Sequence, residues 1–180
     1  DVELAWDVPT AQILKLVEVF GGTNNIIADE DTKHIWREET KRKNELEIIR
    51  NKEDVELNIK LKLPLYDYQN VAVEFIDRAG GRAMVADQMG LGKTPVGIAY
   101  ALMKGYKTIV ACPKSVVTNW AREVSKFTGK STAIWTSEGR LGRKDCQYHV
   151  INYDIVQKHI KELNSMNFEL LICDEATYLK

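Results

Sequence analysis

From residue 65 onward, short apolar runs alternate with segments whose apolar residues recur at helical spacing. The runs that predict strands lie at 83–86, 108–112, 132–135, 148–152 and 169–173. The segments that predict helices lie at 68–79, 94–104, 116–127 and 153–164. Short β-branched runs that alternate with helices favour a parallel sheet covered by helices on both faces. We therefore expect an α/β fold with three layers, α/β/α.

Residues 1–63 follow a different pattern. The apolar positions of 10–20 recur at helical spacing and predict a short helix. Between 33 and 52, seven Lys or Arg residues stand against four Glu residues. A basic helix that contacts a phosphate backbone is one interpretation, but the mixed signs favour a solvated helix.

Strict alternation of apolar and polar residues over 55–63 predicts a half-buried strand, which Pro64 ends. Together with the helices before it, this strand would form a small α+β extension. We therefore divide the chain into an accessory segment, 1–63, and a main domain, 64–180.

Composition narrows the class of protein. The 180 residues are 44% hydrophobic and 28% charged, which is typical of a globular domain. A net charge of −1 gives no overall attraction to nucleic acid, so any such binding depends on local patches. Cys112, Cys146 and Cys173 share no ligand spacing and are expected to be buried thiols in a reducing compartment. Neither a membrane-spanning run nor a signal peptide is evident, so we expect no membrane partner and an intracellular site, cytoplasmic rather than nuclear.

The stretch 87–94, Asp-Gln-Met-Gly-Leu-Gly-Lys-Thr, lies between a predicted strand and a predicted helix. Gly90 and Gly92 allow the backbone to curl until successive N–H groups point at one anion, and the following helix start adds partial positive charge. Lys93 would bring a full charge to the β- and γ-phosphates, and Thr94 a hydroxyl to magnesium. This is a phosphate-binding loop pattern, apart from Asp87, where the general pattern has glycine.

Two adjacent carboxylates, Asp174 and Glu175, follow the predicted strand 169–173. Ligands of parallel sheets bind beyond the carboxyl ends of the strands, where the phosphate loop is also expected. Asp174 would hold magnesium opposite Thr94, and Glu175 would orient the attacking water or take its proton.

The stretch 87–94 closely resembles the Asp-Glu-Met-Gly-Leu-Gly-Lys-Thr element of the Swi/Snf family of helicase superfamily two, in which Asp is normal at position 87. Other family elements follow in order: Leu-Tyr-Asp-Tyr-Gln at 65–69, Cys-Pro-Lys-Ser-Val-Val-Thr-Asn-Trp at 112–120, Asn-Tyr-Asp at 152–154 and Asp-Glu-Ala-Thr at 174–177. The resemblance covers about 64–180. It implies a RecA-like lobe of an ATP-dependent motor that moves on double-stranded DNA and remodels DNA-bound proteins.

The resemblance also implies roles for particular residues. ATP and Mg²⁺ would be the cofactors, with Gln69 recognising the adenine. The expected nucleotide contacts are Leu65, Gln69, Met89, Gly90, Leu91, Gly92, Lys93 and Thr94. The expected metal ligands are Thr94 and Asp174, the catalytic residues Lys93, Asp174 and Glu175, and the DNA contacts Lys114, Ser115 and Thr118.

Four positions depart from the family pattern. Gln88 replaces a Glu, Tyr66 an Arg, Thr177 a His that couples nucleotide state to the motor, and Asn152 a hydroxyl residue. In the family, a second lobe with arginine fingers follows the acidic element at which this chain ends. We therefore expect the chain alone to bind nucleotide but to turn it over very slowly.

Several residues have a structural interpretation beside the functional one. Ser115 is as well explained as the N-cap of the following helix as by a DNA contact. Trp120 fits a core position better than a base-stacking one, and Tyr153 fits a helix start slightly better than a DNA contact. The basic residues at 140–144 fit a solvated loop better than a phosphate contact.

Two other classes of protein remain open. One is a different P-loop ATPase that acts on nucleic acid and shares only the nucleotide site. The other is a non-catalytic nucleic-acid- or protein-binding module, with Gln88 and Thr177 as signs of lost activity.

Overall fold

The computed structural model describes residue 19 and residues 30–86 and 90–175. Apart from position 19, the helix predicted at 10–20 lies outside these residues. Gln88, Met89 and Thr177 also lie outside them. The chain divides into two compact units, Asp1–Asn51 and Lys52–Lys180.

The first unit contains helix α1, Glu30–Arg50. Lys33 lies 2.8 Å from Glu30, and Arg42 lies 3.0 Å from Glu39, each pair three positions apart. Such pairs stabilise a solvated helix by about 0.2–0.5 kcal/mol each. The mixed-charge segment therefore forms the helix that its pattern predicts.

The second unit alternates helices and strands. In chain order its elements are α2 (Asp67–Arg78), α3 (Lys93–Lys104), β1 (Thr108–Cys112), α4 (Val117–Thr128), β2 (Thr132–Thr136), β3 (Gly139–Leu141), β4 (Tyr148–Asn152), α5 (Val156–Asn164) and β5 (Leu170–Cys173). Short 3-10 turns, Lys114–Val116 and Tyr153–Ile155, lead into α4 and α5.

The five strands form one sheet in the order β3-β2-β4-β1-β5. All neighbours are parallel except β2 and β3. Strand β1 lies between β4 and β5, with Ala111 level with Ile151 on one side and Cys173 on the other.

Alternate residues of β1 enter two different cores. Val110 and Cys112 pack with α3 and α4 on one face, whereas Ile109 and Ala111 pack with α5 on the other. A third cluster joins α2 to α3 through residues such as Val73. The expected three-layer α/β/α fold is confirmed, and burial on both faces explains why β1 and β4 are predominantly apolar runs.

The predicted strand at 55–63 is wrong. The chain there is irregular, and Leu57, Ile59 and Leu61 pack against the cluster between α2 and α3. One hydrogen bond, from Lys62 N to Phe127 O (2.7 Å), ties its end to the end of α4. Alternation therefore indicated one buried face correctly, but burial of alternate residues needs no strand partner.

The strand predicted at 83–86 is also absent. These residues pair with no strand among those described, and Met84 is 84% exposed. A four-residue apolar run carries too little information to specify a pairing partner. The predicted phosphate loop therefore does not follow a strand at 83–86.

The sequence pattern missed strand β3, which lies in the stretch expected to be a solvated loop. Thr136 pairs with Gly139 across a tight antiparallel connection, and the Thr136 hydroxyl donates to Gly139 O at 2.9 Å. Gly139 has φ 143°, a conformation that L side chains rarely adopt. An edge strand this polar has no apolar alternation by which to recognise it.

Within the part of the chain that the structure describes, no helix is both long enough and apolar enough to span a bilayer.

Candidate nucleotide-binding site

The N-terminus of α3 begins with a left-handed glycine that is followed by a lysine. Gly92 occupies the N-cap position in the left-handed conformation (φ 75°), no side chain caps the helix, and the first turn contains no acidic residue. Lys93 and Thr94 are the first two helical residues. Uncapped N–H groups, the positive end of the helix dipole and a lysine together suit a phosphate group.

Gln69 holds the loop that leads into this helix. Its Nε2 donates to Leu91 O at 3.1 Å and is 3.4 Å from Gly92 O, while its Oε1 accepts from Tyr66 N at 3.0 Å. The side chain is 4% exposed, and the Tyr68 hydroxyl adds a second bond to Leu91 O at 3.0 Å. The start of α2 therefore holds Leu91 and Gly92, which lead into α3.

Close contact explains why Gly92 has no side chain. A Cβ at Gly92 would overlap Nε2 of Gln69, whereas a Cβ at Gly90 (φ 90°) would meet nothing within 4 Å. Gly90 is exposed, as is Leu91, while Leu65 is half-buried against the cores on both sides of α3. Among the predicted loop glycines, only Gly92 is required by both its conformation and its neighbour.

Asp174 is fixed at the end of β5 by side chains from two other elements. The indole Nε1 of Trp120 donates to Asp174 Oδ2 at 2.7 Å, and the hydroxyl of Tyr153 donates to Asp174 O at 2.7 Å. Its own N–H bonds to Ala111 O at 2.9 Å, which continues the pairing of β5 with β1. Glu175 follows with φ 51° and an exposed side chain.

Helix α3 and the end of β5 approach each other through Gly97. A Cβ at Gly97 would lie 3.2 Å from Cδ1 of Ile172 and 3.6 Å from the ring of Trp120. Because the same indole contacts Asp174, a single side chain connects the second turn of α3 to the acidic residue. The indole of Trp120 therefore joins α3, at a point one turn after Thr94, to the predicted carboxylate.

The groups beside the carboxylates stay uncharged. Burial, followed by the negative charges of Asp174 and Glu175, raises the pKa of the Cys112 thiol to about 12. Burial is also the largest cause that raises the pKa of Tyr153 to about 12. At neutral pH, Tyr153 therefore keeps the proton that it donates to Asp174.

The predicted DNA contacts lie on the surface around the start of α4. Lys114 and Ser115 are exposed in the 3-10 turn, and Thr118 is exposed in the first helical turn. The interpretation of Ser115 as an N-cap is wrong, because Val116 occupies that position and no side-chain cap is present. The exposed ammonium group of Lys114 and the exposed hydroxyl groups of Ser115 and Thr118 are of the kinds that contact phosphates.

Two of the three basic residues at 140–144, which lie in and after β3, have local partners. Arg143 makes two bonds to Asp145, at 2.9 and 2.6 Å, which lower the pKa of that carboxyl group. Arg140 lies over the ring of Trp135, 5.8 Å from its centroid. Lys144 is exposed. These contacts favour the solvated interpretation of this hairpin.

Sequence analysis missed three contributions to the site. Trp120 is 3% exposed, as expected of a core residue, but its bond to Asp174 was not anticipated. Tyr153 begins a 3-10 turn, close to the helix start expected there, and also reaches Asp174. Gly97 interrupts an apolar helix, and such an unexplained helical glycine is the one signal that could have indicated close packing.

Comparison with known proteins decides the family. The family described as "SNF2-related domain" matches residues 68–180. The chain belongs to this family. It is 31% identical to the DNA annealing helicase and endonuclease ZRANB3 of Bos taurus over 132 residues, which covers 67% of this chain and 12% of that protein. It is 28% identical to DNA repair protein rhp54 of Schizosaccharomyces pombe over 134 residues, which covers 58% of this chain and 16% of that protein.

A solved structure agrees with the family assignment. The SWI2/SNF2 ATPase core of Sulfolobus solfataricus, in complex with double-stranded DNA, superposes with a TM-score of 0.59 at 25% sequence identity. The match covers 71% of this chain and 29% of that chain. The chain therefore spans only a small part of the length of the relatives that it matches, and it has the fold of part of a SNF2-family ATPase core.

Proposed function

We propose that this chain is the ATP-binding lobe of a DNA-dependent ATPase that couples ATP hydrolysis to translocation on double-stranded DNA. The observation that carries the proposal is the placement of Asp174 against an indole that also contacts α3, the helix whose uncapped start holds Lys93 and Thr94. Phosphoryl transfer requires positively charged groups that hold the phosphates and a carboxylate that holds the metal ion. The accessory segment would be 1–63 and the lobe 64–180.

The phosphates would bind to the loop and helix start from Met89 to Thr94. Lys93 would bring its charge to the β- and γ-phosphates, and Thr94 and Asp174 would hold magnesium. Oxygen donors of this kind suit Mg²⁺, which neutralises phosphate charge when bound. Glu175 would orient the attacking water or accept its proton, and its exposed side chain is consistent with access to that water.

Gln69 would recognise the adenine through its carbonyl oxygen. Oε1 accepts one hydrogen bond, from Tyr66 N, and an amide oxygen has a second lone pair. That lone pair suits the amino group of adenine and does not suit the carbonyl of guanine. The same side chain would thus hold the loop and select the base.

Double-stranded DNA would bind along the exposed start of α4, where Lys114, Ser115 and Thr118 could contact phosphates. Such contacts position a protein on DNA without reading its sequence. A protein bound to that DNA is a further possible partner. The site of action would be the compartment that contains DNA, either a bacterial or phage-infected cytoplasm or a nucleus.

The test is binding of a fluorescent ATP analogue by the wild type, Lys93→Ala and Lys104→Ala. Lys104 lies at the opposite end of α3 and pairs with Asp77 at 2.9 Å, so it controls for loss of a lysine from the same helix. We expect Lys93→Ala to weaken binding about tenfold to a hundredfold, since a hydrogen bond to a charged group contributes about 1.5–3 kcal/mol. Equal affinities for the two variants would overturn the proposal and support a non-catalytic module.

A second measurement separates the SNF2-type site from that of another P-loop ATPase. Gln69→Ala should reduce the preference for ATP over GTP. An unchanged preference, together with Lys93-dependent binding, would favour the other class of ATPase.

A further inference from the structure

The indole of Trp120 makes an unusually direct contact with a residue proposed to bind metal. Its Nε1 lies 2.7 Å from Asp174 Oδ2, although the two residues are 54 positions apart in the chain. The ring is almost wholly buried among the side chains that pack α3 and α4 on the sheet. An indole N–H only donates, so Trp120 can orient the carboxylate but cannot itself bind a cation.

The remaining contacts of Asp174 leave its carboxylate with a defined orientation. Oδ1 accepts from the N–H of Glu175 at 3.0 Å, while the backbone oxygen accepts from Tyr153. Among the residues that the structure describes, each carboxylate oxygen accepts one hydrogen bond, which leaves lone pairs for a cation. A metal-binding carboxylate whose rotamer is fixed in advance loses less entropy when it binds.

We propose that Trp120 is a positioning residue for Asp174, whose indole N–H fixes the carboxylate in the orientation that holds magnesium. This inference rests on the proposed nucleotide site and adds to it a residue that supports the metal ligand. It gives Trp120 a function in addition to its packing.

The competing explanation is that a buried indole needs any acceptor at all. Trp135 provides the matched case on the other face of the sheet, since it is equally buried and its Nε1 donates to His149 Nδ1 at 3.3 Å. Trp120→Phe and Trp135→Phe remove the same N–H and leave an aromatic ring. Both variants should lose folding stability by similar amounts, whereas only Trp120→Phe should weaken the binding of Mg²⁺.

The first measurement is the affinity for a fluorescent ATP analogue as Mg²⁺ is added. Its readout is the Mg²⁺ concentration at which half of the gain in affinity is reached. We expect Trp120→Phe to raise this concentration at least about tenfold, the lower end of what loss of a supporting contact costs in metal affinity. Binding of the analogue in EDTA should be unchanged, because the phosphate loop is untouched. Trp135→Phe should match the wild type in both conditions.

The second measurement needs no nucleotide and does not depend on whether Trp120→Phe folds. In ¹H–¹⁵N spectra of the wild type, the Trp120 indole signal should lie downfield, as expected for a donor to a carboxylate, and should exchange slowly with water. Asp174→Asn should shift this signal upfield and leave the Trp135 signal in place. An unmoved Trp120 signal would overturn the contact and the inference.

The outcomes separate this inference from the proposed function. Lys93-dependent nucleotide binding with equal Mg²⁺ requirements in the two Phe variants would overturn only the role of Trp120. If the wild type and Lys93→Ala bound the nucleotide equally, the proposed function and this role would both be overturned. A raised Mg²⁺ requirement in Trp120→Phe alone supports both.

Discussion

Gly97 lies directly against Ile172, so that a Cβ on the glycine would be 3.2 Å from Cδ1 of the isoleucine. The contact lies one turn after Thr94 in α3 and two residues before Asp174 in β5. Because residues three apart share a helix face and residues two apart share a strand face, this packing governs how closely the two predicted metal ligands approach.

The first prediction is that Gly97→Ala stabilises the protein more in an Ile172→Val background than in the wild type. Alanine in a helix gains about 0.8–1.0 kcal/mol over glycine, but here that gain is opposed by the overlap with Cδ1. Ile172→Val removes Cδ1 and relieves the overlap. Urea denaturation of the four proteins should give a coupling of at least about 0.5 kcal/mol.

Additive effects in that cycle would mean that the contact between Gly97 and Ile172 does not limit the approach of α3 to β5. Gly97→Val should be destabilising in either background, by about 1–3 kcal/mol, because valine adds more volume than the removal of one methyl group releases.

The second prediction compares two left-handed glycines at opposite ends of α3. Gly92 has φ 75° and Gly105 has φ 71°, but only the former has a side chain in the way. Alanine at either position should cost about 1–2 kcal/mol for the left-handed backbone. Only Gly92→Ala should also displace Gln69 and weaken binding of the fluorescent ATP analogue.

Measurements of unfolding and of nucleotide binding on both variants separate strain from function. If Gly105→Ala weakened nucleotide binding as much as Gly92→Ala, the effect would be due to general loosening of α3. The contact with Gln69 would then have no specific role.

The third prediction concerns acid stability and His149, which lies within β4 and has no exposed surface. Burial lowers its pKa from 6.5 to about 4, and the charges of Lys107 and Arg140 act in the same direction. Its neutral ring is held between the indole N–H of Trp135 and the carbonyl oxygen of Cys146. The folded protein therefore excludes a proton that the unfolded chain binds.

The sign of the pH dependence follows from this difference. Stability from neutral His149 is fully present above pH 6.5, falls by up to about 1.4 kcal/mol per pH unit below it, and levels off below about pH 4. His149→Gln should remove this part of the slope, because glutamine can donate and accept but does not titrate. An unchanged slope in His149→Gln would contradict the assignment to His149.

The fourth prediction tests the start of α4, where we propose that DNA binds. Lys114→Gln should weaken binding to a short fluorescent duplex and reduce the salt dependence of the binding constant by about one ion, as expected when one phosphate contact is lost. Lys126→Gln is the matched control, since Lys126 is exposed in the last turn of the same helix and lies 3.5 Å from Glu123. Equal losses would indicate attraction by general charge, and the start of α4 would not be the contact.

The sequence predicted most of the second unit because its signals are local. Strands 108–112 and 148–152 were placed to the residue, since strands covered on both faces are continuous apolar runs with clear ends. The edge hairpin at β3 could not be found in this way, because half of an edge strand's surroundings are solvent. Residues 55–63 show the converse error, in which a buried face was mistaken for a paired strand.

The candidate site divides along the same line. The sequence by itself determined the glycine turn into Lys93 and Thr94 and the carboxylates after a predicted strand, because each is a short motif with its own chemistry. Only the tertiary structure decided that Gln69 holds the loop, that Gly97 lets α3 reach β5 and that Trp120 holds Asp174. Those contacts join residues far apart in the chain, and their distances depend on how whole elements pack, which no local pattern of side chains specifies.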